Sequence, residues 1–293
     1  MRGFVERHEV AIFFVMAFAG SWLPLAPMVL GREGLGILPY VTPFPVYAAL
    51  FLLSSFTGPF LAAVVLTRSL EGSVGVRVFF RRFIAWRVGP HWLVLAAIGM
   101  PLVHLAVAAA ILGPATVNAA LATKLAPALP NFLIMMAVFP ALITWGEEPG
   151  WRGFALTRLQ TKIHPVAAAL VIGLAHGLWH LPAFILHAGP VAMGPFDPSL
   201  FARNTIAIML VTVTWAWVFN NARQSILVAV LLHASFNATV PTMQKLLPGF
   251  EKQMGPYVAL LYGSLAIVVL ILSRGRLGVR TAPSAEVRGA MPT

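Results

Sequence analysis

Apolar residues along this chain come in long runs, separated by short stretches rich in Arg, Gly and Pro. Eight such runs stand out, at roughly 9–30, 45–67, 92–113, 131–157, 164–187, 204–220, 224–244 and 256–273. Most approach the ~20 residues an α-helix needs to cross a bilayer; the sixth is short. Backbone amides in lipid must bond within their own segment, so runs of this length are helices. The pattern predicts an all-α, polytopic membrane protein with about eight transmembrane helices around a buried polar cavity. A single transmembrane domain spans 1–273, and 274–293 reads as a basic, disordered cytoplasmic tail. The first run is longer than the apolar core of a secretory signal, and no small-x-small site closes it. It reads as the first membrane helix.

Composition agrees. The 293 residues are 59% hydrophobic and only 10% charged, with mean hydropathy +0.85, where soluble domains carry about a quarter charged residues. With no cysteine, disulfides, thiolate nucleophiles and S-palmitoylation are excluded. The net charge of +11 does not point to nucleic acid, because the basic residues sit at the ends of the apolar runs. With the N-terminus inside, 15 of the 20 Lys and Arg residues fall on the cytoplasmic side. Both termini are expected to be cytoplasmic, and the expected location is the cell (inner) membrane. Residues 75–87, GVRVFFRRFIAWR, read either as an interfacial amphipathic helix or as an ordinary basic loop. The loops 31–44 and 188–200 are rich in Gly and Pro and read as irregular.

Ionisable groups inside apolar runs are costly and need a reason. Of the acids, only Glu147 and Glu148 lie well inside a run, and His176, His180 and His233 lie deep in later runs. The lone aspartate, Asp197, is in a loop, so an aspartyl dyad is excluded. His8-Glu9 lacks the second His of a zincin motif, and there is no nucleophile elbow. In the segment WGEEPGWRGF, Glu148 and Arg152 stand four apart on one helix face and can pair. Glu147 points about 100° away, with nothing local to neutralise it. Pro149 and Gly150 weaken the helix there. The pair reads as a structural brace, and Glu147 as the free acid. In HGLWHLP, His176 and His180 share a face at a spacing that suits either a metal or interhelical packing. In HASFN, His233 and Asn237 share a face and suit an oxyanion or helix–helix contact. At 1.5 Å per residue, Glu147, His180 and His233 lie roughly 13 to 24 Å from the cytoplasmic ends of their helices, so they can meet.

These three segments together resemble the CPBP family of intramembrane proteases, which includes the type 2 CAAX prenyl endopeptidases and abortive-infection-like proteins. The family pattern is E-E-x-x-x-R, F-x-x-x-H and H-x-x-x-N on successive helices. Here it stands as Glu147-Glu148…Arg152, His176…His180 and His233…Asn237. His176 takes the place of the family's Phe. The resemblance implies that Glu147 is the general base for water and that His180 holds that water. His233 and Asn237 would stabilise the oxyanion, with Glu148, Arg152 and His176 supporting. The family has been described both as metalloproteases and as glutamate-type proteases. The expectation is no cofactor, although Glu147, His180 and His233 could in principle take zinc. Expected partners are membrane lipid and a membrane-associated or lipidated peptide or protein. Two other classes compete: a non-catalytic binding or immunity protein, and a proton-coupled transporter. The second predicts inverted repeats, and none is visible.

Overall fold

The computed structural model describes residues 2–188, 195–250 and 255–279. Among these, seven helices are long and apolar enough to cross a membrane. They are α1 (Gly3–Leu30), α2 (Phe44–Ile84), α3 (Pro90–Leu112), α4 (Pro114–Leu159), α5 (Pro165–Ile185), α6 (Pro198–Asn221) and α7 (Ile226–Leu246). An eighth, α8 (Val258–Ser273), is apolar but shorter. The protein is a polytopic all-α membrane protein, and each predicted run has its helix.

Two helices exceed one membrane crossing, for different reasons. Helix α2 breaks at Gly72, whose φ of +68° and ψ of −162° lie outside helical values. Beyond the break, the basic stretch turns onto the bundle. Phe79 is buried, and Phe83 stacks on Trp145 with ring centroids 5.0 Å apart. Helix α4 starts at Pro114, so residues 114–130 are helical where no membrane run was predicted. Lys245, near the end of α7, donates to Asn131 Oδ1 at 3.0 Å. The membrane-crossing part of α4 therefore begins near 131, and its first turns extend past the end of α7.

The crossing part of α4 is irregular where the polar residues lie. Wide π-helical turns at Pro140–Thr144 and Pro149–Leu156 flank the single α-turn Trp145–Glu148. Each wide stretch opens on a proline, which lacks an amide hydrogen and displaces the ladder. Such bulges rotate side chains off the regular register and recur at functional sites. Glycines let neighbouring backbones touch this segment. A Cβ on Gly146 would lie 2.6 Å from Ser55 O in α2. On α5, a Cβ at Gly173 would meet Met209 Cα at 2.6 Å, and one at Gly177 would meet Thr205 Cα at 2.9 Å, both in α6. This small-xxx-small pairing is how membrane helices gain contact without a hydrophobic driving force between them.

At the arginine-rich end, Arg158 pairs with Glu9 at 3.0 Å and with Glu71, and Lys162 pairs with Glu9 at 2.7 Å. Arg82 donates to Gly153 O at 2.8 Å and Gln224 O at 3.0 Å. At the opposite end, the loop 31–43 is tied down: Glu33 accepts from the Thr42 amide, and the His187 amide donates to Glu33 O at 2.8 Å. Residues 274–279 turn back on α6, where Asn220 Nδ2 donates to Leu277 O at 2.9 Å. The rest of the expected tail, 280–293, and residues 189–194 of the predicted loop lie outside the described residues.

Candidate active site

The α4 bulge turns Glu147, Glu148 and Arg152 toward α5 and α7. All three are buried, with Glu148 fully so. Arg152 Nη1 donates to Glu148 Oε1 at 2.8 Å, closing the pair expected from the spacing. His233 Nδ1 meets the same Glu148 oxygen at 2.8 Å. A carboxylate accepts, so this Nδ1 carries the proton. Nε2 of His233 faces the other way, and it donates only when the ring is an imidazolium.

His176 occupies a place the sequence did not reveal. Its Nε2 lies 2.9 Å from Glu147 Oε2, and its Nδ1 lies 3.3 Å from Arg152 Nη1. A guanidinium can only donate, so Nδ1 accepts, and the hydrogen sits on Nε2, directed at Glu147. Glu147 is therefore not left without a partner, contrary to the sequence expectation; an imidazole from the next helix supplies one. Trp151 stacks on His176 with centroids 5.1 Å apart at 25°. Arg152 lies over the Trp215 ring at 5.0 Å, a cation–π contact that holds the guanidinium in place.

His180 caps the end of the α5 turn, with Nδ1 2.8 Å from His176 O. A carbonyl accepts, so Nδ1 donates and Nε2 presents a lone pair. Asn237 is half-buried one turn after His233, and its amide makes no hydrogen bond among the described residues. Glu147, His180, His233 and Asn237 all line one cavity of about 490 Å³, together with Phe236 and Trp179. A second cavity of about 290 Å³ reaches His176, His180, His233 and Asn237 from the side of α6 and α8. The sequence reading missed the His104–Tyr262 pair on its wall, which are 3.4 Å apart. His104 in a predicted run was the only signal for it.

A metal was one reading of the histidine spacing. Ligand atoms of Glu147, His176 and His180 do lie within 4.8 Å of one another. Within that set, His176 is poorly placed to be a ligand. Binding through His176 Nε2 would move its hydrogen to Nδ1, against the hydrogens of Arg152, and would set a second cation beside the guanidinium. Glu147 and His180 then remain, with His233 on the same cavity wall as the third donor of the set expected from the sequence.

Residues 126–239 match the family model Rce1-like, described as type II CAAX prenyl endopeptidase Rce1-like. This stretch of the chain is similar to that family. It holds α4 from Ala126 onward, α5, α6 and most of α7, and with them all seven residues singled out from the sequence. Over 95 residues the chain is also 30% identical to a protein of Methanococcus maripaludis named CAAX prenyl protease 2. That similarity covers 31% of this chain and 34% of the relative, so the chain matches about a third of the curated relative's length.

Proposed function

We propose that this protein is an intramembrane endopeptidase that hydrolyses a peptide bond with a water activated by Glu147. The observation that carries the reading is that Glu147, His180, His233 and Asn237, from three helices, line the same cavity. The Rce1-like match supports the reaction class. A protein substrate reached from the lipid phase fits the same match.

In this mechanism one water sits between Glu147 and the lone pair of His180 Nε2. Glu147 takes its proton, and the oxygen bonds to the carbonyl carbon of the peptide. The carbonyl electrons move to oxygen, and the oxyanion accepts from Asn237 Nδ2 and from His233 Nε2 in its imidazolium form. Glu148 beside Nδ1 is the counter-ion for that form. As the C–N bond breaks, Glu147 returns its proton to the leaving amine. His176 and Arg152 hold Glu147 in position and do not touch the reacting atoms.

Glu147→Gln keeps the shape of the side chain and removes the base. Purified in detergent and given a membrane-peptide reporter, this variant is expected to lose on the order of 10² to 10⁴ in kcat. Asn237→Ala removes one oxyanion donor and is expected to lose about 10² to 10³. Wild-type cleavage by Glu147→Gln would refute the mechanism. A cellular phenotype that survives the substitution would favour a non-catalytic binding or immunity role.

A further inference from the structure

One polar cavity lies apart from the site around Glu147. It has a volume of about 270 Å³ and sits at the arginine-rich end, between α2, the last turns of α4 and the turn that joins α6 to α7. It shares no wall residue with the two cavities that reach the catalytic set. The bend at Gly72 shapes it, because the chain beyond the bend brings Arg82 against α4 and the α6–α7 turn.

Two donors on its wall have nothing to bond. Arg82 commits Nε to Gln224 O at 3.0 Å and Nη1 to Gly153 O at 2.8 Å, and its buried Nη2 has no partner. Thr67 has no exposed surface, and its hydroxyl is also unpartnered. A helical threonine can bond the carbonyl four residues back, as Thr239 and Thr242 do; Thr67 does not. A buried donor left without an acceptor costs free energy, and more so on a charged group.

The charges point to the same gap. Arg158 and Lys162 are answered by Glu9 and Glu71, two against two. Glu71 stands on the cavity wall, with its carboxylate engaged by Arg158. Arg82 has no ion-pair partner among the described residues, and the Phe219 ring at 5.5 Å is a weak substitute. A guanidinium desolvated without a counter-ion favours an anion beside it over water. An arginine and a hydroxyl together suit the oxygens of a phosphate.

We propose that this cavity binds a phosphate group, carried by a lipid headgroup or free in solution. The surface beside it favours the lipid. Val78, on the wall, is 51% exposed, and Val74 and Phe80 are exposed along the same stretch. They offer acyl chains an apolar surface next to the unpaired arginine. A phosphate held there braces α2 against α4 through Arg82, which already grips the carbonyl next to Arg152. The site stands independently of the hydrolase reading.

The full chain, purified in detergent, is titrated with phosphatidylglycerol and, separately, with inorganic phosphate at constant ionic strength. The readouts are the thermal unfolding midpoint and retained lipid by native mass spectrometry. A saturable rise in the midpoint is expected. A hydrogen bond to a charged group is worth about 10- to 100-fold in affinity, so Arg82→Gln and Thr67→Val are each expected to weaken binding by that factor. Without ligand, Thr67→Val is expected to unfold no lower than wild type, because the hydroxyl it removes bonds nothing. Its loss of binding is therefore separable from loss of fold, even where Arg82→Gln folds poorly. Neither residue belongs to the proposed catalytic set. A response to phosphatidylglycerol with retained lipid identifies a headgroup site, and a response to inorganic phosphate alone identifies a free-anion site. No saturable response to either ligand would overturn the proposal. So would equal binding by wild type and both variants, which would assign the lipid to the exposed Arg77 and Arg81.

Discussion

Arg152 is held by four neighbours, one of which, His176, contacts Glu147. It bonds Glu148 and His176, donates to Thr212 Oγ1 at 3.3 Å and lies over Trp215. Removing one partner of a buried pair leaves the other charge unpaired, which costs about 3–5 kcal/mol. Arg152→Ala is therefore expected to lower the thermal unfolding midpoint in detergent sharply, and Glu148→Gln to do so less. An Arg152→Ala midpoint equal to wild type would show that Glu148 finds another counter-ion. Chelation gives a second residue-scale test: dialysis against a strong chelator is expected to leave the cleavage rate unchanged, and a rate restored only by zinc would contradict the hydrogen-bond roles assigned to His176. The Glu148–Arg152 pair was legible in the sequence because four-residue spacing on one helix brings side chains together. The Glu147–His176 contact was not. It joins two helices, and nothing in either segment states which faces will meet. Short i,i+4 motifs named the participants, and the interhelical packing decided who touches whom.

Among the elements, close backbone contact between α5 and α6 sets where His176 and His180 stand. Extra bulk at Gly173 would strike the backbone of Met209, which cannot rotate away. Overpacking costs about 1–3 kcal/mol, and here it also displaces a helix bearing the site. Gly173→Ala is expected to reduce cleavage together with stability. At Gly263 a Cβ would sit 3.7 Å from Leu210 Cδ1, an ordinary contact, so Gly263→Ala should leave both close to wild type. Equal effects of the two substitutions would discount the close crossing. The apolar runs marked all eight helices, because lipid permits little else of that length. They missed the helix at 114–130, where Lys124, Pro127 and Pro130 break up the apolar pattern. Pro114 begins that helix without losing a bond, and the later prolines lie inside α4 without ending it. The bend at Gly72 was equally silent, since its positive φ leaves no trace in hydrophobicity.

For the molecule as a whole, ion pairs of Arg158, Lys162, Glu9 and Glu71 clamp α1, α2 and α4 together at one end. The groups are partly exposed, so each pair contributes about 1 kcal/mol or less and weakens as salt rises. Arg158→Ala is expected to lower the unfolding midpoint slightly at low ionic strength and not at all near 1 M salt, where the Debye length is about 3 Å. A salt-independent loss would point to its packing against Phe154 instead. The opposite flank carries a different constraint. Helix α8 holds 16 residues, about 24 Å at 1.5 Å per residue, against a hydrocarbon slab of about 30 Å. Leu260, Ile267, Ile271 and Leu272 are mostly exposed along it. A span this short favours a thinner bilayer beside it, so acyl chains along this edge of the protein are expected to shorten. Short-chain phospholipids should relieve this mismatch, and a host membrane's thickness thereby becomes a determinant of where the protein settles.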